Sequence, residues 1–173
     1  MRSLIGYAIL IVIILFSCNN KSNQQYILSV DNLATKLENA AKNYSTIDSI
    51  ALVEISEKVK YNCSEIDYQS EDINNRVIIT YGQINKAIEQ IFKTDIQIKK
   101  DLKIRARQIN DLLYDINNNL MDTGLIKPAI KNEKESIKNI IDRMNYNYER
   151  VISEKNTYDS LNPLIEKLIL KNN

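Results

Sequence analysis

The 173-residue sequence contains no histidine and no tryptophan, and it has only three glycines, two prolines and two cysteines. Without histidine the chain lacks the commonest acid–base catalyst near neutral pH and a frequent metal ligand, which excludes Ser-His, Cys-His and His-metal sites. No glycine-rich phosphate loop, G-x-S-x-G nucleophile motif or paired-cysteine metal spacing occurs in it. We therefore expect a protein that is not an enzyme and that uses no cofactor and no metal.

The scarcity of glycine and proline also bears on the fold. These residues mark turns, so a chain with few of them, rich in Ile, Leu, Asn and Lys, is typical of long helices rather than of many short strands. A length of 173 residues corresponds to about one domain. We expect an all-α fold, an elongated bundle of five or six amphipathic helices over residues 26–173.

The apolar run at the N-terminus is typical of a secretory signal. Arg2 is followed closely by "LIGYAILIVIILF" and then by the small residue Ser17. The apolar stretch of ~13 residues is shorter than the ~20 that a transmembrane helix needs. Residues 1–17 are therefore predicted to be a signal peptide, and the alternative is an uncleaved membrane anchor.

Cys18 follows directly after Leu15-Phe16-Ser17. An aliphatic residue three positions before a cysteine and a small residue just before it resemble the lipobox of bacterial lipoproteins. That resemblance implies that Cys18 becomes the acylated first residue of the mature protein, bound to the membrane through fatty acyl chains such as palmitate. Residues 18–25 would then be a lipidated tether, polar and flexible. Acylation of Cys18 would rule out a disulfide between the two cysteines, and Cys63 is predicted to be a buried core thiol rather than a reactive one.

Apolar residues recur at spacings of three and four through the rest of the chain, which indicates amphipathic helices. One pattern begins at Ile27, and Ser45-Thr46-Ile47-Asp48 resembles the capped start of a second helix. Residues 71–122 would measure ~78 Å as one helix, so we predict a break at Lys93-Thr94-Asp95, where Asp95 interrupts the apolar seam. We expect these seams to form an intramolecular core rather than a coiled coil between chains.

Two further helix boundaries are predicted from glycine and proline. Gly124 is expected to terminate a helix as its C′ residue, and Pro128 is expected near the first turn of the next one. Asn162-Pro163 is expected to introduce a short terminal helix.

The lipobox ending "SCNN", the polar tether and the His-free body rich in Lys, Asn and Ile together resemble the outer-surface lipoproteins of spirochaetes. This resemblance implies a bacterial outer-membrane, surface-exposed location. A narrower similarity over residues 82–126 is to the decorin-binding proteins, helical adhesins that bind glycosaminoglycans. Its residues are Gly82, Lys86, Ile88-Glu89, Asp111-Leu112-Leu113, Leu120, Asp122, Gly124 and Ile126. The Lys-rich C-terminal tail of that family is missing here, so no binding residue is transferred.

Two rows of basic residues are candidate binding sites on an otherwise neutral chain, which has 22 basic and 22 acidic residues once Arg2 is removed with the signal peptide. Successive residues of a helix are rotated by about 100° around its axis, and this rotation places all members of each row on one side of a helix. The first stripe consists of Lys93, Lys100, Lys103 and Arg107. The second stripe consists of Lys127, Lys131, Lys134 and Lys138. Such rows suit a linear polyanion, although a lysine row is more often a solvated helix face.

These observations predict a membrane-anchored surface lipoprotein that binds a host macromolecule, either a sulfated glycan or a host protein, without catalysis. The alternative is a periplasm-facing structural or assembly lipoprotein that packs against another protein of the bacterial envelope. No nucleic-acid partner is expected, and the sequence leaves the oligomeric state open.

Overall fold

The computed structural model describes residues 2–45, 47–66 and 75–172, and the side chains within 23–45, 47–66 and 76–171. The described residues are 94% helical and include no strand. Their four helices are α1 (Arg2–Tyr44), α2 (Ser49–Glu65), α3 (Asn75–Asn117) and α4 (Thr123–Asn172). The prediction of an all-α helical bundle is confirmed, whereas the predicted count of five or six helices is wrong.

The chain divides into two compact units. The first unit comprises Met1–Ala41 and Asp101–Ile141, and the second comprises Lys42–Lys100 and Asp142–Asn173. In the first unit the helical segments come from α1, the end of α3 and the start of α4. In the second unit they come mainly from α2, the start of α3 and the end of α4.

Isoleucine and leucine at helical spacing supply most of both cores. The buried apolar residues of the first unit are Val30, Leu33, Leu37, Ile109, Leu112, Ile116, Ile126, Ile137 and Ile140. The main core cluster of the second unit consists of Leu52, Ile55, Val59, Ile66, Ile78, Tyr81, Ile84, Ile88, Ile91 and Ile165. Each fully buried aliphatic side chain contributes about 1.5–3 kcal/mol relative to exposure, so these seams stabilise the helices more than intrinsic propensity does.

The predicted break at Lys93-Thr94-Asp95 is wrong, because α3 continues through it from Asn75 to Asn117. Asp95 interrupts the apolar seam but has polar partners that keep it in the helix. Its carboxylate lies 2.8 Å from Lys99 Nζ, one turn further on, and accepts a hydrogen bond from the Tyr44 hydroxyl. An acidic residue on the seam therefore does not end the helix.

The turn between α3 and α4 places the helix ends differently from the prediction. Asn119 is the C′ residue, with φ of 54° in the left-handed region. The Asn119 N–H donates to the carbonyl of Ile116 and the Leu120 N–H donates to that of Asp115, which is the Schellman pattern. Gly124 does not terminate a helix, and its N–H instead donates to Asp122 Oδ1 at 2.8 Å in the first turn of α4. Asparagine tolerates the left-handed conformation, so it replaces glycine here.

The start of α2 is capped by Asp48 and not by Ser45. Asp48 Oδ1 accepts hydrogen bonds from the backbone N–H groups of Ile50 and Ala51, at 3.1 and 3.0 Å. Ser45 belongs to the end of α1, where its hydroxyl donates to the Lys42 carbonyl. The predicted helix start is thus correct to within a few residues, and the capping group is the acid rather than the hydroxyl.

Helix α1 includes residues 18–25, the segment predicted to be a lipidated tether. The processing after Ser17 and the acylation of Cys18 are not properties of the backbone and stay predictions. Within the residues that the structure describes, no helix contains a stretch that is long and apolar enough to cross a membrane.

Helix α4 runs through Asn162-Pro163, so the predicted separate terminal helix is wrong. A proline in a helix interior removes a backbone hydrogen bond and costs about 3 kcal/mol. Burial of Ile165, which is 0% exposed, offsets this cost. Asn162 Oδ1 also accepts hydrogen bonds from Tyr81 Oη at 2.6 Å and from Asn62 Nδ2 at 3.0 Å.

The same amide group of Asn62 donates to Tyr81 Oη at 2.9 Å, which closes a triad of Asn62, Tyr81 and Asn162 on α2, α3 and α4. Asn62 is 1% exposed and Tyr81 is 0% exposed. Because buried polar groups are costly when unpaired, the triad favours one register of the three helices.

Replacing Tyr81 with Phe tests the triad. The ring is kept, but Asn62 and Asn162 each lose a buried hydrogen-bond partner, so we expect the free energy of unfolding to fall by about 1–3 kcal/mol. Urea unfolding measures this change, and Tyr146→Phe, at a tyrosine that is 63% exposed, is the matched control. Equal stability of the two variants would show that the triad does not stabilise the second unit.

Candidate functional site

All eight predicted binding residues are exposed and lie on the two helices expected to hold them. The first stripe (Lys93, Lys100, Lys103 and Arg107) belongs to α3, and the second stripe (Lys127, Lys131, Lys134 and Lys138) belongs to α4. Exposure leaves these charges available to a ligand, but it is also the state of an ordinary solvated helix face. Their neighbours therefore decide which stripe forms a site.

The first stripe is divided between the two units. Lys93 and Lys100 belong to the second unit, and Lys103 and Arg107 belong to the first. Within the part of the chain that the structure describes, none of the four makes an ion pair closer than 4.0 Å. The positive charge of this stripe is therefore not neutralised by nearby carboxylates.

The second stripe lies wholly within the first unit. Glu133 is close to this stripe in the sequence, but its carboxylate lies 3.7 Å from Arg105 Nη1 on α3, and its side chain is only 15% exposed. Glu135 lies 4.0 Å from Lys131, a weak exposed pair. Lys138 has an interaction partner as well. One of the two neighbouring acids, Glu133, is thus directed away from the stripe, and the other, Glu135, stays beside Lys131.

Three lysines of the second stripe line a groove between α1 and α4, which we call the α1–α4 groove. Its volume is about 440 Å³, within the range typical of ligand sites. Its apolar lining residues are Leu33, Ile137 and Ile141, and its charged lining residues are Lys36, Lys131, Lys134, Lys138 and Glu135. Lys127 belongs to the same stripe but does not line the groove. The groove therefore combines an apolar lining with four cations and one anion.

Sequence reasoning missed Lys36. This residue is on α1, about 100 positions from the stripe, and only the packing of α1 against α4 brings it to the same groove. A signal was present in the sequence, because Lys36 follows Leu33 and precedes Leu37 at the edge of the apolar seam. Long lysine side chains at such an edge lie along apolar surface with the charge in water.

A second groove of about 440 Å³ lies between α1 and α3 in the first unit. Its lining is mainly aliphatic, with Ala34, Ala41 and Ala106 among its residues, and its charged members are Lys103 and Glu38. One cation and one anion give this groove no net charge. It offers less to a polyanion than the α1–α4 groove does.

The second unit contains a smaller polar cavity of about 180 Å³. Asn147, 0% exposed, lines it and donates to the Tyr44 hydroxyl at 2.8 Å, while its own carbonyl oxygen has no hydrogen-bond partner among the described residues. Burial raises the pKa of Tyr44 to about 12; the Asn147 bond opposes this shift and the Asp95 carboxylate adds to it. The hydroxyl thus stays protonated at neutral pH, and the free Asn147 oxygen suits a hydrogen-bond donor such as water.

The two cysteines differ in what the structure shows. Cys63 is half-buried rather than fully buried, and it packs against the core cluster of the second unit. Burial raises the pKa of its thiol, which disfavours the reactive thiolate. The Cys18 side chain lies outside the described residues, so its acylation stays a prediction.

Among the described residues no group of three or more Cys, Asp or Glu side chains is arranged to hold a metal ion. Comparisons of the chain with known protein families, with curated proteins and with solved structures found no match. The resemblances to spirochaete surface lipoproteins and to decorin-binding proteins therefore stay predictions from the sequence.

Proposed function

We propose that this protein is a lipid-anchored protein of the bacterial outer membrane, exposed at the cell surface, whose helical body binds a host sulfated glycan without catalysis. The observation that supports it most is the α1–α4 groove, in which Lys36 joins Lys131, Lys134 and Lys138 around an apolar lining. The lipobox residues before Cys18 supply the anchoring half of the proposal.

Anchoring through Cys18 follows from the energetics of acyl chains. Each buried CH₂ contributes about 0.8 kcal/mol, and more than one chain is needed for stable attachment. A lipoprotein cysteine that bears several acyl chains meets this requirement without a transmembrane helix. Removal of residues 1–17 then leaves a body with equal numbers of basic and acidic residues, so its attraction for a polyanion depends on local clusters.

Glycan binding follows from the charge and shape of the groove. The second stripe extends for 11 residues along α4, or ~17 Å. This length suits an extended chain of anionic groups rather than a single anionic group. Neutralising such a chain with lysines releases its counterions, so binding weakens steeply with salt, as it does for DNA. The apolar lining contributes through the non-charged faces of the sugar rings.

The alternative, an envelope protein that packs against another bacterial protein, is favoured by one observation on α2. Ile50, Val53 and Tyr61 are 72%, 44% and 58% exposed and lie within about 80° of one another on this helix, with Glu57 between them. Exposed apolar residues that share a helix face are typical of protein-binding surfaces.

Protease treatment of intact cells separates the two functions. A glycan-binding adhesin must be displayed on the cell surface, so we expect the protein to disappear from intact cells under protease while a periplasmic marker survives. Protection of the protein until the outer membrane is permeabilised would contradict the adhesin and favour the periplasm-facing alternative.

The anchoring proposal predicts different behaviour for the two cysteines. Cys18→Ala should yield an exported protein that leaves the membrane fraction and incorporates no labelled fatty acid, because the acylated atom is gone. Cys63→Ala is the matched control and should remain in the membrane fraction. Detergent partition and fatty-acid labelling that are unchanged in Cys18→Ala would show that another part of the chain holds it to the membrane.

The glycan proposal predicts that the α1–α4 groove dominates binding to heparin. Changing Lys36, Lys131 and Lys134 together to Gln should lower the salt concentration of elution from a heparin column and flatten its salt dependence, since three cations are lost. Stability should stay the same or rise, because lysines on one face repel each other.

The matched control changes Lys86, Lys155 and Lys167 to Gln, which removes the same charge from exposed positions of the second unit. We expect this variant to elute close to the wild type. Equal losses in the two variants would show a non-specific charge effect. Wild-type protein that passes through the column at ~50 mM salt, where screening is weak, would refute the glycan function.

A further inference from the structure

The turn between α3 and α4 lies beside the part of α1 that follows Cys18. Asn23 Nδ2 on α1 donates to Asn119 Oδ1 in the turn, at 2.7 Å. Asn23 is five positions after Cys18 and the backbone between them is helical, so the separation along α1 is ~7.5 Å. Along the axis of α1, the α3–α4 turn therefore lies about one and a half helical turns from Cys18.

The direction of the neighbouring helices agrees with this placement. The groove between α1 and α3 is lined by residues 34–41 of α1 and residues 102–110 of α3, so α3 approaches the start of α1 as it nears its own end. Leu33 of α1 and Ile137 of α4 line the same groove, further from Asn23 and from Asn119 along the chain, so α4 leads away from that end. The Asn23–Asn119 contact therefore places the α3–α4 turn beside α1 at the end of the first unit from which α1 continues back to Cys18.

The turn presents apolar side chains that the core does not use. Leu120 is 66% exposed and Leu125 is 61% exposed, and both lie in or next to the Schellman turn around Asn119. Single exposed leucines are common on protein surfaces. Two of them close together, Leu120 in the turn and Leu125 in the first turn of α4, near the proposed lipid attachment point, instead match the apolar residues by which peripheral proteins enter the interfacial region of a bilayer.

The charges around the turn indicate which kind of bilayer it fits. Lys127 is exposed on the first turns of α4, and Asp122 is exposed at the start of the helix, where its carboxylate accepts the Gly124 N–H. Asp115 in the last turn of α3 adds a second acid, so the acids around the turn outnumber the one lysine and the turn has no net attraction for anionic lipids. Contact with the membrane would depend on the leucines and would occur on a zwitterionic surface.

We propose that the α3–α4 turn rests on the same bilayer that holds Cys18, with Leu120 and Leu125 in the interfacial region. The proposal depends on the lipid anchor put forward above. It fixes the orientation of the first unit on the membrane and places Lys131, Lys134 and Lys138 progressively further from the bilayer along α4. The α1–α4 groove then opens above the lipid head groups, where a glycan can reach it.

The absence of tryptophan from the chain allows a direct test. The acylated mature product of Leu120→Trp, beginning at Cys18, is reconstituted into phosphatidylcholine vesicles with bromine on the acyl chains, which quenches tryptophan at membrane depth. Ile104→Trp is the matched control, because Ile104 is also exposed, at 43%, and lies in the same unit ~20 Å along α3 from Asn117. We expect the tryptophan fluorescence of Leu120→Trp to be blue-shifted and quenched by the brominated lipids. The fluorescence of Ile104→Trp should be neither shifted nor quenched.

Flotation of the vesicles separates this proposal from the anchor on which it depends. Protein that fails to float with the vesicles overturns both the anchor and the membrane contact. Protein that floats but shows no quenching at 120, or equal quenching at 120 and 104, overturns the membrane contact alone. Leu125→Trp provides a second reporter on the same turn, and it should be quenched as well, so the test does not depend on the folding of one variant.

Discussion

The apolar seam of α3 is the constraint on which both units depend. It buries Ile84, Ile88 and Ile91 in the second unit and Ile109 and Ile116 in the first, along a helix of 43 residues. Breaking this helix would expose its seam and leave unpaired backbone groups, so polar interruptions are accommodated by side-chain partners instead. The two candidate ligand grooves of the first unit lie on either side of α1, where its own apolar seam meets α3 and α4.

The helical class and the apolar seams could be predicted from the sequence because they depend on spacing alone. The helix ends could not, because they depend on contacts between distant residues. A hydrogen bond from Tyr44 and an ion pair with Lys99 keep Asp95 in α3. The hydrogen bonds among Asn62, Tyr81 and Asn162 support α4 where it continues past Pro163. The left-handed residue of the α3–α4 turn is an asparagine, whereas the glycine nearby is part of the next helix.

The candidate site was predictable in part for the same reason. A lysine row on one helix is visible in sequence, so the second stripe was found. The fourth groove lysine, Lys36, comes from another helix, and the pairing of Glu133 with Arg105 removes an acid that sequence proximity assigned to the stripe. The proposals then connect: a lipid anchor at Cys18 and a membrane-resting α3–α4 turn would hold the first unit with its cationic groove directed outward.

Lysine footprinting of the wild-type protein tests the central claim most directly. The protein is acetylated with and without a heparin oligosaccharide, and the modification of each lysine is measured by mass spectrometry. The account predicts that heparin protects Lys36, Lys131 and Lys134, while Lys86 and Lys167 in the second unit react equally in both samples. Uniform protection of all lysines, or protection that leaves Lys36 unaffected, would contradict a glycan site in the α1–α4 groove.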